Sequence, residues 1–455
     1  MIFGEKPKFD YKREPSRDIL CIDCKSFYAS VECVERAIHP LAAKLVVMSY
    51  PSGSKVKRGS GLILASSPKA KASYGITNVS RARDLPFPYP DDLILAPPRM
   101  REYMDKNKQI NAIYKRFADE SNHHVYSVDE SFVDVTESLN LFDAHNAFEI
   151  AKLIQSEVYR ETGVLTTIGI GDNPLLAKLA LDNESKHNPT MIGEWRYSDV
   201  PKKVWGIKEI TDFWGIGKRT AIRLNRLGIH SIDELAHSDY FLLKEEFGVS
   251  GTQLFAHAWG IDRTFLGQKY EPASKSIGNS QVLDRDYDKA NEIEVVIKEM
   301  ADQVGTRLRR SGLKAGVVGL WIGFAIGYSE VSQKSGFHQQ MKVSPTHNSQ
   351  VLADHLLHIF RKNYTNQVIR NIGVNCHDLK HIESLQLDLF RDIPDQLKDF
   401  KVDDLVDKVR SRYGFKSLVH AHSLLPGGRA IARSSLVGGH AGGMAGIEGE
   451  PAHGK

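Results

Sequence analysis

Short apolar runs that end in acids mark the first third of the chain. Asp18-Ile19-Leu20-Cys21-Ile22-Asp23 climbs through an apolar strand and stops at a charge, and Val125, Val128, Phe132, Val133 and Val135 give 125–135 the β-branched and aromatic character of a packed hairpin. Between and after them the period changes. Residues 100–121 place Met104, Ile110, Ile113, Tyr114 and Phe117 at helical spacing, and 148–162 repeats the pattern with Ile150, Leu153, Ile154 and Val158. Residues 166–171 read as a strand that gives way to a helix over 174–182. Strands with helices covering one face predict an α+β fold. A second block, 274–377, reads β-α-β-β-α-β, with strands at 276–283, 316–326, 336–343 and 367–376 and helices at 290–311 and 348–361.

Composition agrees with a multidomain globular protein. The chain has 455 residues, 41% hydrophobic and 25% charged, with a net charge of only +4. No apolar stretch is long enough to span a membrane, and 1–17 is charged without the apolar core of a signal peptide, so a cytoplasmic, membrane-free protein is expected. Cys21, Cys24, Cys33 and Cys376 form no disulfide framework. Cys21 and Cys24 stand three apart in a strand, project to opposite faces and lack a second pair, which argues against zinc. His123-His124, and His355 with His358, have no matching cysteine or acid and read as surface residues.

The chemistry is in the acids. Asp129 and Glu130 are adjacent in Ser127-Val128-Asp129-Glu130-Ser131-Phe132-Val133-Asp134, a run that otherwise reads as strand, where unpaired charge costs several kcal/mol, roughly. A bound cation is the simplest compensation. If this strand neighbours the one ending at Asp23, three hard oxygen donors converge at one sheet edge and suit Mg²⁺, and a pair of such ions suits phosphoryl chemistry. Taken singly, each acid also reads as a strand-end carboxylate facing solvent or capping a turn.

From Arg36 to Arg83 there is no Asp or Glu, whereas Lys44, Lys55, Lys57, Arg58, Lys69, Lys71 and Arg81 all lie there. Such an imbalance seats a polyanion or forms a solvated basic face. Within it, Ser66-Ser67-Pro68-Lys69-Ala70-Lys71 reads as a helix start whose free N–H groups point at an anion. Further on, Trp214-Gly215-Ile216-Gly217-Lys218, then Leu227-Gly228-Ile229 and Ser231-Ile232-Asp233-Glu234-Leu235, resemble a helix-hairpin-helix module. There Gly215 and Gly217 permit a tight turn and main-chain N–H groups meet a DNA phosphate without reading bases.

Two segments together, Ile22-Asp23-Cys24-Lys25-Ser26-Phe27-Tyr28-Ala29-Ser30-Val31-Glu32 and Ser127-Val128-Asp129-Glu130-Ser131-Phe132, resemble the paired motifs of Y-family translesion DNA polymerases, in particular the UmuC-like branch and its UvrX-like members from Gram-positive bacteria, phages and plasmids. The resemblance implies a right-hand polymerase: palm (1–26 and 94–198), small fingers (27–93), helix-hairpin-helix thumb (199–272), β-α-β-β-α-β little finger (274–383), and a clamp-binding peptide with a tail (384–455).

It also implies roles. Asp23, Asp129, Glu130 and the main-chain carbonyl of Cys24 would hold two Mg²⁺ ions, with Asp134 structural. Tyr28 would take the steric-gate position beside Phe27, its ring leaving no room for a 2′-hydroxyl. The family grips the β and γ phosphates where 66–76 lie here, which implicates Ser66, Ser67 and Lys71. This segment has lysine for arginine, one extra residue and no aromatic before Ala70, so its register departs from the family pattern; Lys186 aligns with the second phosphate-binding lysine. DNA contacts would include Gly215, Gly217 and Lys218, and in the little finger Arg307, Arg309, Arg310 and Lys314, which read otherwise as a solvated helix end. Gln386-Leu387-Asp388-Leu389-Phe390 looks like a bacterial sliding-clamp peptide with Leu389 and Phe390 as anchors. The chain beyond Gly427 is Gly- and Ser-rich and expected to be largely disordered.

The implied function is low-fidelity, template-directed DNA synthesis from dNTPs on primer-template DNA in the damage response, alongside other SOS proteins. The alternatives are a catalytically silent DNA- and clamp-binding scaffold at stalled forks, or a nucleotide cyclase, which would leave the DNA modules and the gate unexplained.

Overall fold

The computed structural model describes residues 9–49, 62–77, 80–268, 272, 274–382, 393–437 and 440–441. The chain divides into two compact units, the first running to Tyr270 and the second from Glu271. In the first unit, β1 (Ile19–Cys24) leads into α1 (Phe27–Glu35). There follow β2 (Leu45–Ser49), β3 (Leu62–Ser66), α2 (Pro68–Tyr74), β4 (Ile94–Ala96), α3 (Met100–Tyr114), β5 (His123–Val125), β6 (Glu130–Asp134), α4 (Ala147–Thr162), β7 (Thr166–Gly171), α5 (Pro174–Ala180) and β8 (Ile192–Trp195).

The main sheet has the order β5-β6-β1-β7-β8, with β1 central and antiparallel to both neighbours. Period-two alternation fixes what it positions: Ile19, Cys21 and Asp23 share one face of β1, and their partners Asp134, Phe132 and Glu130 share it on β6. Ile19, Cys21 and Phe132 form a buried cluster with Ala177 and Leu181, so α5 covers this face. Gly169 and Gly171 of β7 admit that helix, since a Cβ at either would fall 2.0 to 2.3 Å from its backbone. A small sheet, β3-β2-β4, takes β2 and β3 from the basic segment and β4 from just beyond it.

The unit closes with α6 (Lys218–Arg226), α7 (Ile232–Ala236), α8 (Tyr240–Phe247) and α9 (Val249–Ala258). Their core, which includes Leu224, Leu235, Leu243, Phe255 and Trp259, is continuous with Leu175, Leu176 and Trp195 of the sheet layer.

The second unit carries β9 (Ile277–Tyr287), α10 (Ala290–Arg310), β10 (Leu313–Phe324), α11 (Ile326–Ser332), β11 (Gly336–Thr346), α12 (Ser349–Asn363), β12 (Ile369–His381), α13 (Ile393–Tyr413) and α14 (Ala430–Arg433). Its sheet runs β11-β10-β12-β9, all antiparallel, with α10 and α12 packed on one face through Val304, Leu308, Leu352 and Leu356. The β-α-β-β-α-β order is the one read from the sequence, with the short α11 added between β10 and β11.

Several expectations shift. Met104 and Leu153 are exposed; Tyr103, one residue away, turns inward instead. Val125 is exposed because β5 is an edge strand. Residues 393–433, expected as tail, fold back on α10. There Asp403 and Asp407 meet Arg309, Arg410 meets Asp302 at 2.7 Å, and the backbone N–H groups of Arg429 and Ala430 donate to Glu299. Ordering beyond Gly427 as far as Val437 thus has a cause: a buried carboxylate accepts from the start of α14. Gln386, Leu387, Asp388, Leu389 and Phe390 lie outside the described residues, as do Lys55, Lys57 and Arg58. Among the described residues, no helix is long and apolar enough to cross a membrane.

Candidate active site

Asp23 and Glu130 are direct partners across β1 and β6, and the Asp129 carbonyl accepts from Cys24 N at 2.9 Å. Antiparallel partners sit about 5 Å apart at Cα, so the register alone brings the three acids, remote in sequence, to one sheet edge. A turn holds Asp129 in place. The Ser127 hydroxyl donates to Asp129 Oδ1 at 2.9 Å and accepts from Glu130 N at 3.1 Å, and Asn107 of α3 donates to the Val128 carbonyl. Asp134, at the far end of β6, accepts from the Thr136 hydroxyl and lies 3.5 Å from Arg17. That is a structural role, as expected.

Lysines face these acids. Lys178 Nζ lies 2.5 Å from Glu130 and 3.1 Å from Asp182, and Lys186 Nζ lies 3.4 Å from Asp23 and 2.8 Å from Asp182. Burial pushes the Asp23 carboxyl up to about 6; Lys186 opposes this, and the neighbouring Asp129 and Glu130 add to it. Burial opposes the charge of Lys178, but the hydrogen bond to Glu130 and the field of Asp182 hold its pKa above the ordinary range. Burial lowers the pKa of Lys71, with Asp23 opposing and Lys186 and Lys25 adding to the fall, so three ammonium groups share the neighbourhood of Asp23.

Among the described residues, no three acidic, histidine or cysteine side chains form a closed coordination cluster, because Glu130 and Asp23 are turned to their lysines. The donor chemistry nevertheless fits a hard divalent cation: three carboxylates at adjoining strand ends, one with its proton affinity raised by burial and by its neighbours.

Tyr28 is half-buried and stacks on Tyr103, with centroids 4.5 Å apart and planes 16° apart; burial and then the field of Asp129 raise its pKa. Phe27 beside it is buried in the core. The Ser67 hydroxyl caps α2, accepting from Ala70 N and donating to the Ala43 carbonyl at 2.6 Å, so it is committed within the fold rather than to a phosphate. Ser66 Oγ is buried without a hydrogen-bond partner. Lys44 is neutralised by Asp92, which lies just beyond the acid-free stretch.

Gly215 adopts φ 97°, the left-handed backbone its turn demands, whereas Gly217 is extended, caps α6 and faces open space. Both glycines and Lys218 are exposed at the helix start, and the two glycines line an open cleft of about 920 Å³ with Trp214, Lys208 and Asp182. In the second unit, Arg309 must be corrected. Its guanidinium is buried, bonded to Asp403, Asp407, the His347 carbonyl and Ser349, and is unavailable to DNA. Arg307 donates to the Gly278 carbonyl, Lys314 is buried, and Arg310 is exposed. His123 must be corrected too: it is buried against the Tyr114 ring.

The chain as a whole has counterparts among known proteins. The model of the impB/mucB/samB family matches 22–182, its C-terminal domain model 274–389, and its HHH motif 197–229. The "Putative UV-damage repair protein UvrX" of Bacillus subtilis strain 168 is 38% identical over 95% of this chain and 99% of its own length. The chain belongs to the Y family of DNA polymerases. The "DNA polymerase IV 2" of the same organism is 34% identical over 93% of this chain and 98% of its own. The fold matches a solved Y-family DNA polymerase chimera with a TM-score of 0.62 and 21% identity, over 80% of this chain and 99% of the chimera. Palm, fingers, thumb and little finger are therefore apt names for the parts of this Y-family enzyme, a DNA-directed DNA polymerase whose family membership implies use of divalent metal. Lys178, Lys25 and Tyr103 were not singled out from the sequence. A lone lysine inside Pro174-Leu175-Leu176-Ala177-Lys178-Leu179-Ala180, otherwise wholly apolar, was the available signal for the first, since a buried ammonium requires a partner.

Proposed function

We propose that this Y-family polymerase is a low-fidelity translesion enzyme acting on primer-template DNA and dNTPs, with Asp23, Asp129, Glu130 and the Cys24 carbonyl holding two Mg²⁺ ions. The observation that carries the reading is the Asp23–Glu130 register with Asp129 alongside and the Tyr28 ring close enough to feel its charge. When bound, such ions lower the pKa of a primer hydroxyl and stabilise charge on the reacting phosphate.

The protein's own groups do the rest. Lys71, Lys186 and Lys25 gather the triphosphate and offset charge on the departing pyrophosphate. The partnerless Ser66 hydroxyl is a donor available to a phosphate oxygen. The Tyr28 ring, braced by Tyr103, meets a 2′-hydroxyl and leaves deoxyribonucleotides unhindered. Gly215, Gly217 and Lys218 of the thumb, with Arg310 and Arg307 of the little finger, hold the DNA backbone without reading sequence.

Primer extension tests the reading. The wild-type chain should add dNMPs complementary to the template, and Asp129→Ala with Glu130→Ala should add none; a wild type that binds DNA but extends nothing would leave the silent scaffold. Clamp binding by Gln386–Phe390 rests on its sequence, and the SOS setting on kinship with a protein named for UV-damage repair. Deleting the peptide should abolish stimulation by the sliding clamp and leave basal extension intact.

A further inference from the structure

Lys178, Asp182 and Lys186 stand four residues apart, on one side of the helical run that begins with α5. With the site they make a line of alternating charge: Glu130, Lys178, Asp182, Lys186 and Asp23, a proposed metal ligand at each end. Asp182 is its midpoint. Lys178 already has Glu130 at 2.5 Å and lies 3.1 Å from Asp182, so the tighter contact of Asp182 is the one to Lys186, at 2.8 Å. Among the described residues, the ion-pair partners of Lys186 are Asp182 and, at 3.4 Å, Asp23. A cation that takes Asp23 leaves Lys186 with Asp182.

The backbone between Asp182 and Lys186 is held still. Past Ala180 the helix widens into a π turn over Leu181–Ser185, which displaces carbonyls that then need other donors. Side chains supply them. Asn183 Nδ2 donates to the Leu179 carbonyl at 3.0 Å, and the Ser185 hydroxyl is shared between the carbonyls of Ile168 on β7, at 2.7 Å, and Ala180, at 3.1 Å. Glu184 accepts from Trp195 Nε1 and from Lys203. β8 closes over the turn, since a Cβ on Gly193 would fall 2.9 Å from Ser185 Oγ. With its backbone fixed from several sides, Asp182 does not follow the lysine; the lysine follows Asp182. A carboxylate that only neutralised Lys178 would need none of this, because an i,i+4 pair forms on any regular helix.

We propose that Asp182 is a positioning residue for nucleotide incorporation, anchoring the Lys186 ammonium beside the acid edge so that it meets the incoming triphosphate once Asp23 engages a cation. The proposal rests on the reading of Lys186 as a triphosphate ligand and names what holds it there. An anchored lysine meets the ground state and the transition state alike, so its loss falls on KM rather than on kcat.

Single-nucleotide insertion at varied dNTP concentration tests it. Asp182→Asn, which keeps the shape and removes the charge, should raise the KM for dNTP about tenfold, the low end for a hydrogen bond to a charged group. Its kcat should stay within about threefold of wild type, and Asp182→Glu should recover most of the KM. Equilibrium binding of dNTP to the complex with a primer lacking its 3′-hydroxyl, where no bond can form, should weaken by the same factor. In a Lys186→Ala background, Asp182→Asn should add less than about twofold. A further tenfold loss there, roughly, would place the effect on Lys178 and overturn the anchor, as would an unchanged KM in Asp182→Asn alone. Should Asp182→Asn not fold, a crystal structure of the unmutated chain with the blocked primer-template, dNTP and Mg²⁺ decides. Lys186 Nζ bonded to both Asp182 and a phosphate oxygen supports the anchor, and Lys186 turned away from Asp182 overturns it. Lys186→Ala by itself separates the two readings: an unchanged KM sinks the triphosphate role of that lysine, whereas a raised KM beside an unaltered Asp182→Asn sinks the anchor alone.

Discussion

Tyr28 lies flat on Tyr103, and the Tyr103 hydroxyl donates to the buried Glu32 at 2.7 Å, so the ring proposed as the sugar gate is braced through a second aromatic to a buried carboxylate. Glu32 is held from its other side by Arg36. A gate works by refusing to move, and this one is backed by a stack and an ion pair. Tyr28→Ala should raise ribonucleotide incorporation sharply. Tyr103→Leu should raise it less, by removing the brace and leaving the gate. Tyr103→Phe keeps the stack but deprives Glu32 of a donor, which should cost about 1–3 kcal/mol in urea unfolding with little change in sugar selection. Single-nucleotide insertion with dNTP and rNTP in parallel separates these outcomes.

Lys178 offers a second test. Its side chain is 7% exposed and sits between Glu130 and Asp182. Removing one partner from a buried pair leaves the other charge uncompensated, at a cost of about 3–5 kcal/mol. Lys178→Met should therefore destabilise the first unit by about that much, or somewhat less where magnesium is present. Thermal melts with and without MgCl₂ measure both effects. A variant as stable as wild type without the ion would remove Lys178 from the site.

The contrast between what was legible and what was not has physical roots. Asp23, Asp129 and Glu130 could be read because strand alternation and adjacency leave few ways to house three acids, and β1, β6 and β7 lie where the pattern put them. Tyr103 was missed by one residue. A helical stripe is wide enough that Met104 fits it on paper, and the packing of α3 chose its neighbour. Helix α13 was invisible for a different reason: Val402 and Leu405 face outward while Asp403 and Arg410 are buried, so its contacts run opposite to the hydrophobic pattern. Charged side chains read as solvated unless their partners are known, and those of α13 lie about a hundred residues upstream on α10.

Arg309 and Arg310 make that point testable. Neighbours in sequence, they differ in surroundings: Arg309 is buried against Asp403 and Asp407, and Arg310 is exposed. Arg309→Ala should lower the melting temperature of the second unit and free 393–413 for proteolysis, leaving the salt dependence of DNA binding unchanged. Arg310→Ala should do the reverse, reducing the slope of log K against log salt by about one contact. Limited trypsinolysis and a salt titration of DNA affinity read the two effects independently.

His123 gives the fold a pH dependence that can be isolated. The ring is buried against Tyr114, and its Nε2 has no hydrogen-bond partner. Burial, with Lys115 and His124 adding and Glu120 opposing, brings its pKa down to about 4. An unfolded histidine titrates near 6.5, roughly. Between these values the unfolded chain binds the extra proton and the folded chain refuses it, so the contribution is fully present above the unfolded pKa and is lost as pH falls from about 6.5 toward 4. Asp23 works in the opposite direction over part of this range, since its raised pKa favours the folded state as pH falls. Comparing variants removes that overlap. His123→Phe keeps an aromatic against Tyr114, deletes the titrating group and gives up no hydrogen bond at Nε2, so its stability should vary less than that of wild type between pH 6.5 and 4 and match it most closely above pH 7. Urea unfolding of both chains across that range measures the difference, and parallel curves would show that His123 is protonated at no cost in the folded protein.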